Sequence, residues 1–272
     1  MFGTGTRLKA GGFTLVELAI AMTIIGLLIG GVMKGTEMLN QARITATIRD
    51  YQEMSAATHA FRDRFGQMPG DMANAGQRLP GCTPENFCDF GNGNNGDGNG
   101  RVGRLPTNGM GNVAHLDQSG TDAAPKVETS LFWKHLALAD LITGINPSAD
   151  ITNDVAAGVT HPRAAIGGAF TILYSQNYQN KRWVRGHVFR LQAAASGGQR
   201  KLGSDVIRGR DAWKIDTKID DGYPKSGFVA ATYDGLASGN VNDYLEPPHD
   251  NSKDWMMYFS LEGYNHKNPD QN

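Results

Sequence analysis

Gly11-Gly12-Phe13-Thr14-Leu15-Val16-Glu17-Leu18, continuing as AIAMTIIGLLIGGVM over residues 19–33, is the stretch on which the reading of this chain turns. From Phe13 to Met33 the only charged side chain is Glu17, and Lys34 closes the apolar run. As a helix, 13–33 rises about 31 Å, roughly the hydrocarbon thickness of a bilayer. A carboxylate inside such a segment costs at least a few kcal/mol unless something neutralises it. Glu17 therefore needs a partner.

The flanks set the orientation. Residues 1–12 carry Arg7 and Lys9 and no acid, a short basic end expected to stay in the cytoplasm. Everything after Lys34 is then expected across the membrane. No A-x-A-like cleavage pattern follows Met33, whereas a Gly-Gly pair stands before the apolar core. No cysteine at the boundary could accept a lipid.

These residues carry a family resemblance. Gly12-Phe13-Thr14-Leu15-Val16-Glu17, with a basic leader ahead and an apolar helix behind, resembles the N-terminus of type IV pilins and type II secretion pseudopilins. The resemblance covers about the first 25 residues. It implies that a prepilin peptidase cuts after Gly12 and methylates the new N-terminus at Phe13. The family's acid, five residues into the mature chain, corresponds to Glu17. Many relatives have a helix-bending proline where this chain has Lys34, and the glycines at 26, 30, 31 and 35 are the alternative weak point. Further implied partners are copies of itself or related pilins in a filament, an inner-membrane assembly platform, and the inner membrane.

Gly26 and Gly30 form one G-x-x-x-G, and Gly31 and Gly35 another. Small residues at that spacing let helices approach closely in lipid, although glycine is also simply common in membrane helices. Beyond the membrane, Leu39, Ile44, Ile48, Tyr51, Met54, Phe61 and Phe65 recur at helical spacings among charged residues. That is an amphipathic continuation whose stripe must pack on something. Gly66 and Met68-Pro69-Gly70 end it. The layout expected is 1–12 leader, 13–34 membrane helix, 35–66 amphipathic continuation and 67–272 globular head.

The 272-residue chain has 35 glycines and only 19% charged residues, which favours a loop-rich domain over a helical bundle for the head. A second helix is expected over Ser130–Thr143 and a third over Asp205–Ile219, capped by Ser204. Strands are expected at Ala169–Tyr174, Trp183–Leu191, Phe228–Tyr233 and Trp255–Leu261. The fold class is α+β: a long N-terminal helix on a mostly antiparallel sheet, the ladle of the pilins it resembles.

Three clusters in the head invite chemistry. Cys82 and Cys88 are the only cysteines. They stand close enough to close a small disulfide, which suits an oxidising compartment; free thiols or half a metal site are the other readings. Asn95-Gly-Asp97-Gly-Asn99-Gly100-Arg101-Val102 fits the start of an EF-hand-like calcium loop. Asn95, Asp97 and Asn99 would offer side-chain oxygens, the carbonyl of Arg101 would ligate, and Val102 would anchor the loop. Position twelve is Pro106 in place of the usual Glu, so a closing acid must come from elsewhere, with Asp89 and Glu128 as candidates. The plain alternative is a glycine- and asparagine-rich surface loop without an ion. Asp216, Asp220 and Asp221 are read as a polar helix exit and turn in preference to a second ion site. His135 is read as a packed or surface residue, and the tail after Gly263 as frayed.

Gly91–Gly96 satisfies G-x-G-x-x-G literally, but no apolar strand precedes it and no helix starts in GDGNGRVGR. The seven histidines include no H-E-x-x-H, and no P-loop, G-x-S-x-G or C-x-x-C is present. Net charge is −1, so nothing indicates a nucleic-acid partner. The expectation is a non-enzymatic pilin-like structural subunit. The alternatives are a membrane-tethered calcium-dependent binding protein or adhesin that forms no filaments, and a tethered hydrolase.

Overall fold

The computed structural model describes residues 13–89, 96–102, 128–151, 156–175, 186–193, 206–233, 244 and 255–261. Helix α1 spans Leu15–Phe65. The chain divides into two compact units, Met1–Ala42 and Arg43–Asn272. In the first, the large apolar side chains from Phe13 to Leu39 are exposed, and a Cβ added at Gly26, Gly30, Gly31 or Gly35 would meet nothing within 4 Å. By length and composition this helix suffices to cross a membrane.

In the second unit, α1 buries Ile44, Thr47, Met54, Ala57, Thr58 and Phe61. These spacings keep one stripe facing the core. Tyr51 shows how tightly the stripe is held. Its ring lies 5.0 Å from that of Phe259 and 6.2 Å from that of Phe189, and its hydroxyl donates to the Ser260 carbonyl at 2.9 Å. The helix stops where expected. Gly66 adopts φ +69 and donates its N–H to the Arg62 carbonyl, the left-handed exit that glycine makes cheaply.

Four strands form one antiparallel sheet: β1 (Ala169–Ser175), β2 (Gly186–Gln192), β3 (Val229–Tyr233) and β4 (Trp255–Ser260). Their order is β1-β2-β4-β3, with Ile172 opposite Phe189, Phe189 opposite Phe259, and Val229 opposite Phe259. Alternate residues divide between the two faces. Phe170, Ile172, Phe189, Leu191, Met257 and Phe259 join the α1 stripe in the main core. Leu173, Val188, Ala230 and Tyr258 form a smaller second cluster. The α+β layout, a long apolar N-terminal helix plus an antiparallel sheet, is that of a pilin-like fold.

Two expected helices are shorter than their apolar patterns. The short α2 is Ala75–Arg78, and α3 spans Glu128–Leu138, ending before Thr143. Asp140 takes φ +58 and Leu141 N–H reaches back five residues to the Leu136 carbonyl, so Leu141 and Ile142 pack without extending the helix. Helix α4 spans Gly209–Ile219. Ile207 is bridged to Trp255 and Arg208 is extended, which removes 206–208 from the helix expected over Asp205–Ile219; Ser204 and Asp205 lie outside the described residues. The tail after Gly263 also lies outside them.

Every residue of α3 from Glu128 to Leu136 is buried, polar ones included. Lys134 is 2% exposed; its ammonium donates to the carbonyls of Asn86 and of Ala149, tying together the loops on either side. Burial pulls this amine down to about 8. Asn86 belongs to a 3-10 turn, Pro84–Asn86, inside the loop closed by the Cys82–Cys88 disulfide. His135 is fully buried, its Nδ1 accepts the Gly70 N–H at 2.9 Å, and burial holds the imidazole neutral with a pKa near 3.

Candidate functional site

At the start of α1, Phe13 and Thr14 precede the helix, and Phe13 is 89% exposed. The Thr14 carbonyl accepts the first intrahelical bond, from Leu18 N–H, so Thr14 is the N-cap. Glu17 Oε2 accepts the Thr14 backbone N–H and its hydroxyl, both at 3.0 Å, while Thr14 Oγ1 accepts the Glu17 N–H at 3.2 Å. This is a reciprocal capping box. The carboxylate thus has an uncharged hydrogen-bond partner three residues away. Thr14 brings donors but no charge, so the negative charge at the helix mouth remains. Gly12 lies outside the described residues.

In the head, Asp71, Asp97 and Glu128 come together from three separate segments, each offering an oxygen within 4.8 Å of the others. The glycine pattern of 96–102 explains how. A Cβ on Gly96 would stand 2.1 Å from the Asp71 carbonyl carbon, so only glycine lets the two backbones approach. Gly98 and Gly100 take φ +72 and +80, turning successive N–H groups to one side. Asp71 Oδ1 accepts from Gly98 at 2.8 Å and Asn99 at 3.2 Å, and Oδ2 accepts from Gly100 at 2.7 Å. Glu128 Oε1 accepts the Asp97 N–H at 3.1 Å. Burial pushes the Asp71 carboxyl up to about 6 against the pull of the Gly100 and Gly98 amides, and the charge of Asp97 adds to the rise.

The residues expected in a calcium loop are therefore distributed as follows. Asp97 is in the cluster, and its Oδ1 also accepts the Asn99 N–H at 3.1 Å. Asn99 Oδ1 accepts the Arg101 N–H at 2.7 Å, while the Arg101 guanidinium lies over the Tyr174 ring. Val102 is fully buried and donates its N–H to His187 Nε2. Of the two candidate closing acids, Glu128 joins the cluster, whereas Asp89 lies against Gly76. Asn95 and Pro106 lie outside the described residues. Asp71 was not among the candidates, because nothing local to Pro69-Gly70-Asp71 points to a loop that begins 25 residues later. The donor set is oxygen only, which fits calcium better than a soft metal. Gln67 Oε1, buried without a partner among the described residues, belongs to a side chain whose Nε2 lies 4.0 Å from a Cβ built on Gly98.

The third acidic group builds a turn. Asp216 Oδ2 accepts the Tyr244 hydroxyl at 2.6 Å and Oδ1 accepts Gly222 N–H. Asp220 accepts the N–H groups of Phe228 and Val229; Asp221 accepts Tyr223 N–H and the Ser226 hydroxyl. Burial pushes the Asp216 carboxyl up to about 8, with the charges of Asp221 and Asp220 adding to it against the Tyr244 and Gly222 bonds.

Residues 7–33 match the family described as the prokaryotic N-terminal methylation motif, the signature of type IV pilins and pseudopilins. The match spans about a tenth of the 272-residue chain. With the long apolar helix, it fits a membrane-anchored, pilin-like protein that is processed at its N-terminus. No curated protein and no solved structure gives a match.

Proposed function

We propose that this chain is a structural subunit of a type IV pilus or a type II secretion pseudopilus. A prepilin peptidase cuts after Gly12 and methylates Phe13, and the subunit assembles through α1 from an inner-membrane platform. The leader faces the cytoplasm and the head faces the periplasm, moving to the filament surface on assembly. The observation that carries this reading is the methylation motif at 7–33, set on a helix whose large apolar side chains are exposed as far as Leu39.

Glu17 is the proposed selector. Cleavage creates an ammonium at Phe13, and in an assembling bundle a neighbour's ammonium meets the Glu17 carboxylate. Pairing offsets a burial cost that either charge would bear alone. The Thr14 bonds support this role by fixing the carboxylate at the helix mouth beside the new N-terminus. Glu17→Ala should leave a membrane-held subunit whose recovery in sheared filaments falls about tenfold or more, the loss expected when a buried charge is left unpaired. Normal incorporation of Glu17→Ala would refute the pairing. Mass spectrometry of the mature protein tests the class: an N-terminus at methylated Phe13 is expected, and one at Met1 or after Met33 overturns it.

A calcium ion in the head is the second part of the proposal. The convergence of Asp71, Asp97 and Glu128 supports it. Asp71 and Glu128 would hold the ion from the core side and Asp97 from the solvent side, joining the end of α1 to the start of α3. If no filament forms, the same cation site favours the tethered calcium-dependent binding protein.

A further inference from the structure

Between α1 and the chain that leaves α3 lies a cleft of about 720 Å³. Its floor is made of small residues on α1, Ala56, Ala57 and Ala60, and its far wall includes Leu141 and Ile142. Asp50, Glu53 and Asp140 bring negative charge to it, against one base, Arg163. Asp140 is placed there by its left-handed φ of +58, which turns the chain out of α3. Asp50 bonds the Ala165 N–H, and no ion pair to Glu53 or Asp140 is made among the described residues. A shallow-floored apolar trough with a net negative rim suits a helix that has no bulky side chains on its contact face and carries a cation.

We infer that the cleft receives α1 of a second copy of this chain at Gly31–Glu37, with Lys34 against Asp50, Glu53 and Asp140. This rests on the filament reading above. Between Phe13 and Ala42, Lys34 is the only basic side chain. Gly31, Lys34 and Gly35 share one helix face, and nothing stands within 4 Å of a Cβ at either glycine. Glycine against alanine allows close helix approach. Lys34 is paired with Glu37 at 3.1 Å in the single chain, but that pair is exposed at 70% and 59%. Such a pair contributes little, so both groups are available for exchange. In the cleft the pair meets its complement: Lys34 faces the acids and Glu37 faces Arg163. Positions 34 and 53 are 19 residues apart on one helix, so the two copies are staggered by about 28 Å along it.

The test is disulfide trapping in full-length chains, whose native cysteines are already bonded to each other. Lys34→Cys combined with Glu53→Cys should give a covalent ladder on oxidation of sheared filaments, and neither single variant should. Lys34→Glu and Glu53→Lys should each lower filament yield severalfold, and the double charge swap should restore part of it, since Asp50 and Asp140 keep their charge. Normal filaments without the ladder, or a swap that restores nothing, overturn this interface and leave the proposed function standing. Absence of filaments from the wild-type chain, in a strain otherwise competent for assembly, overturns both.

Discussion

Asp216 holds a proton where most aspartates have lost theirs. It is fully buried, bonded to the Tyr244 hydroxyl, and faced by Asp220 and Asp221. The folded chain therefore binds a proton between about pH 4, where an unfolded aspartate titrates, and about pH 8. With the folded value raised, this contribution to stability is complete below about pH 4 and is lost as pH rises through about 8. The expected change is on the order of 3 kcal/mol across that window, discounted for the bonds that favour the anion. Urea unfolding of the full chain in detergent between pH 5 and 8.5 measures it. Asp216→Asn should flatten the slope, and an unchanged slope would remove Asp216 from the account. Thr14 and Glu17 show what is readable at this scale: T-x-x-E before an apolar run is a capping signature in one line of sequence. Asp71 shows what is not, because its amide partners are defined only when distant segments fold together.

At the level of elements, patterns with a single periodicity survive into the structure and patterns that rely on a boundary do not. The stripe of α1 runs through to Phe65 because Gly66 and Pro69-Gly70 stop it locally. The four strands fall on the β-branched and aromatic runs, since alternation alone places one face in the core. Helices α3 and α4 are misjudged at their ends. A left-handed Asp140 and the Ile207–Trp255 bridge override apolar spacing with tertiary pairing. The α1 stripe makes its own prediction. Phe61 is fully buried, with the Phe65 ring at 4.4 Å and the His135 ring at 6.2 Å. Phe61→Ala should cost about 3–5 kcal/mol, while exposed Arg62→Ala should stay within about 0.5. Equal unfolding midpoints for the two variants, followed by tryptophan fluorescence, would show that the stripe does not hold the head together.

For the whole molecule, the question is what keeps a loop-rich head in one conformation. The disulfide closes one loop and Lys134 ties it to the chain around Ala149. A further long-range junction is the meeting of Asp71, Asp97 and Glu128, where two of the three carboxylates are almost fully buried. A cation there would bind the folded head and not the unfolded chain, because the three segments are far apart in sequence. At a calcium concentration near one hundred times the dissociation constant, that linkage is worth about 2.7 kcal/mol. For a head of this size it raises the thermal midpoint by roughly 5–10 °C. Asp71→Asn keeps the side chain's shape and one acceptor for the loop amides but removes a charge. It should abolish most of the calcium-dependent rise while leaving the calcium-free midpoint closer to wild type. The sign with pH also follows. Calcium competes with the proton on Asp71, whose carboxyl is pushed up to about 6, so the calcium effect should fade as pH drops below that value. Magnesium is the control, since it demands a tighter octahedron and dehydrates reluctantly. A midpoint indifferent to millimolar calcium at pH 7.5 would mean that the loop amides alone hold Asp71, and that the glycines at 96, 98 and 100 exist to build that closure.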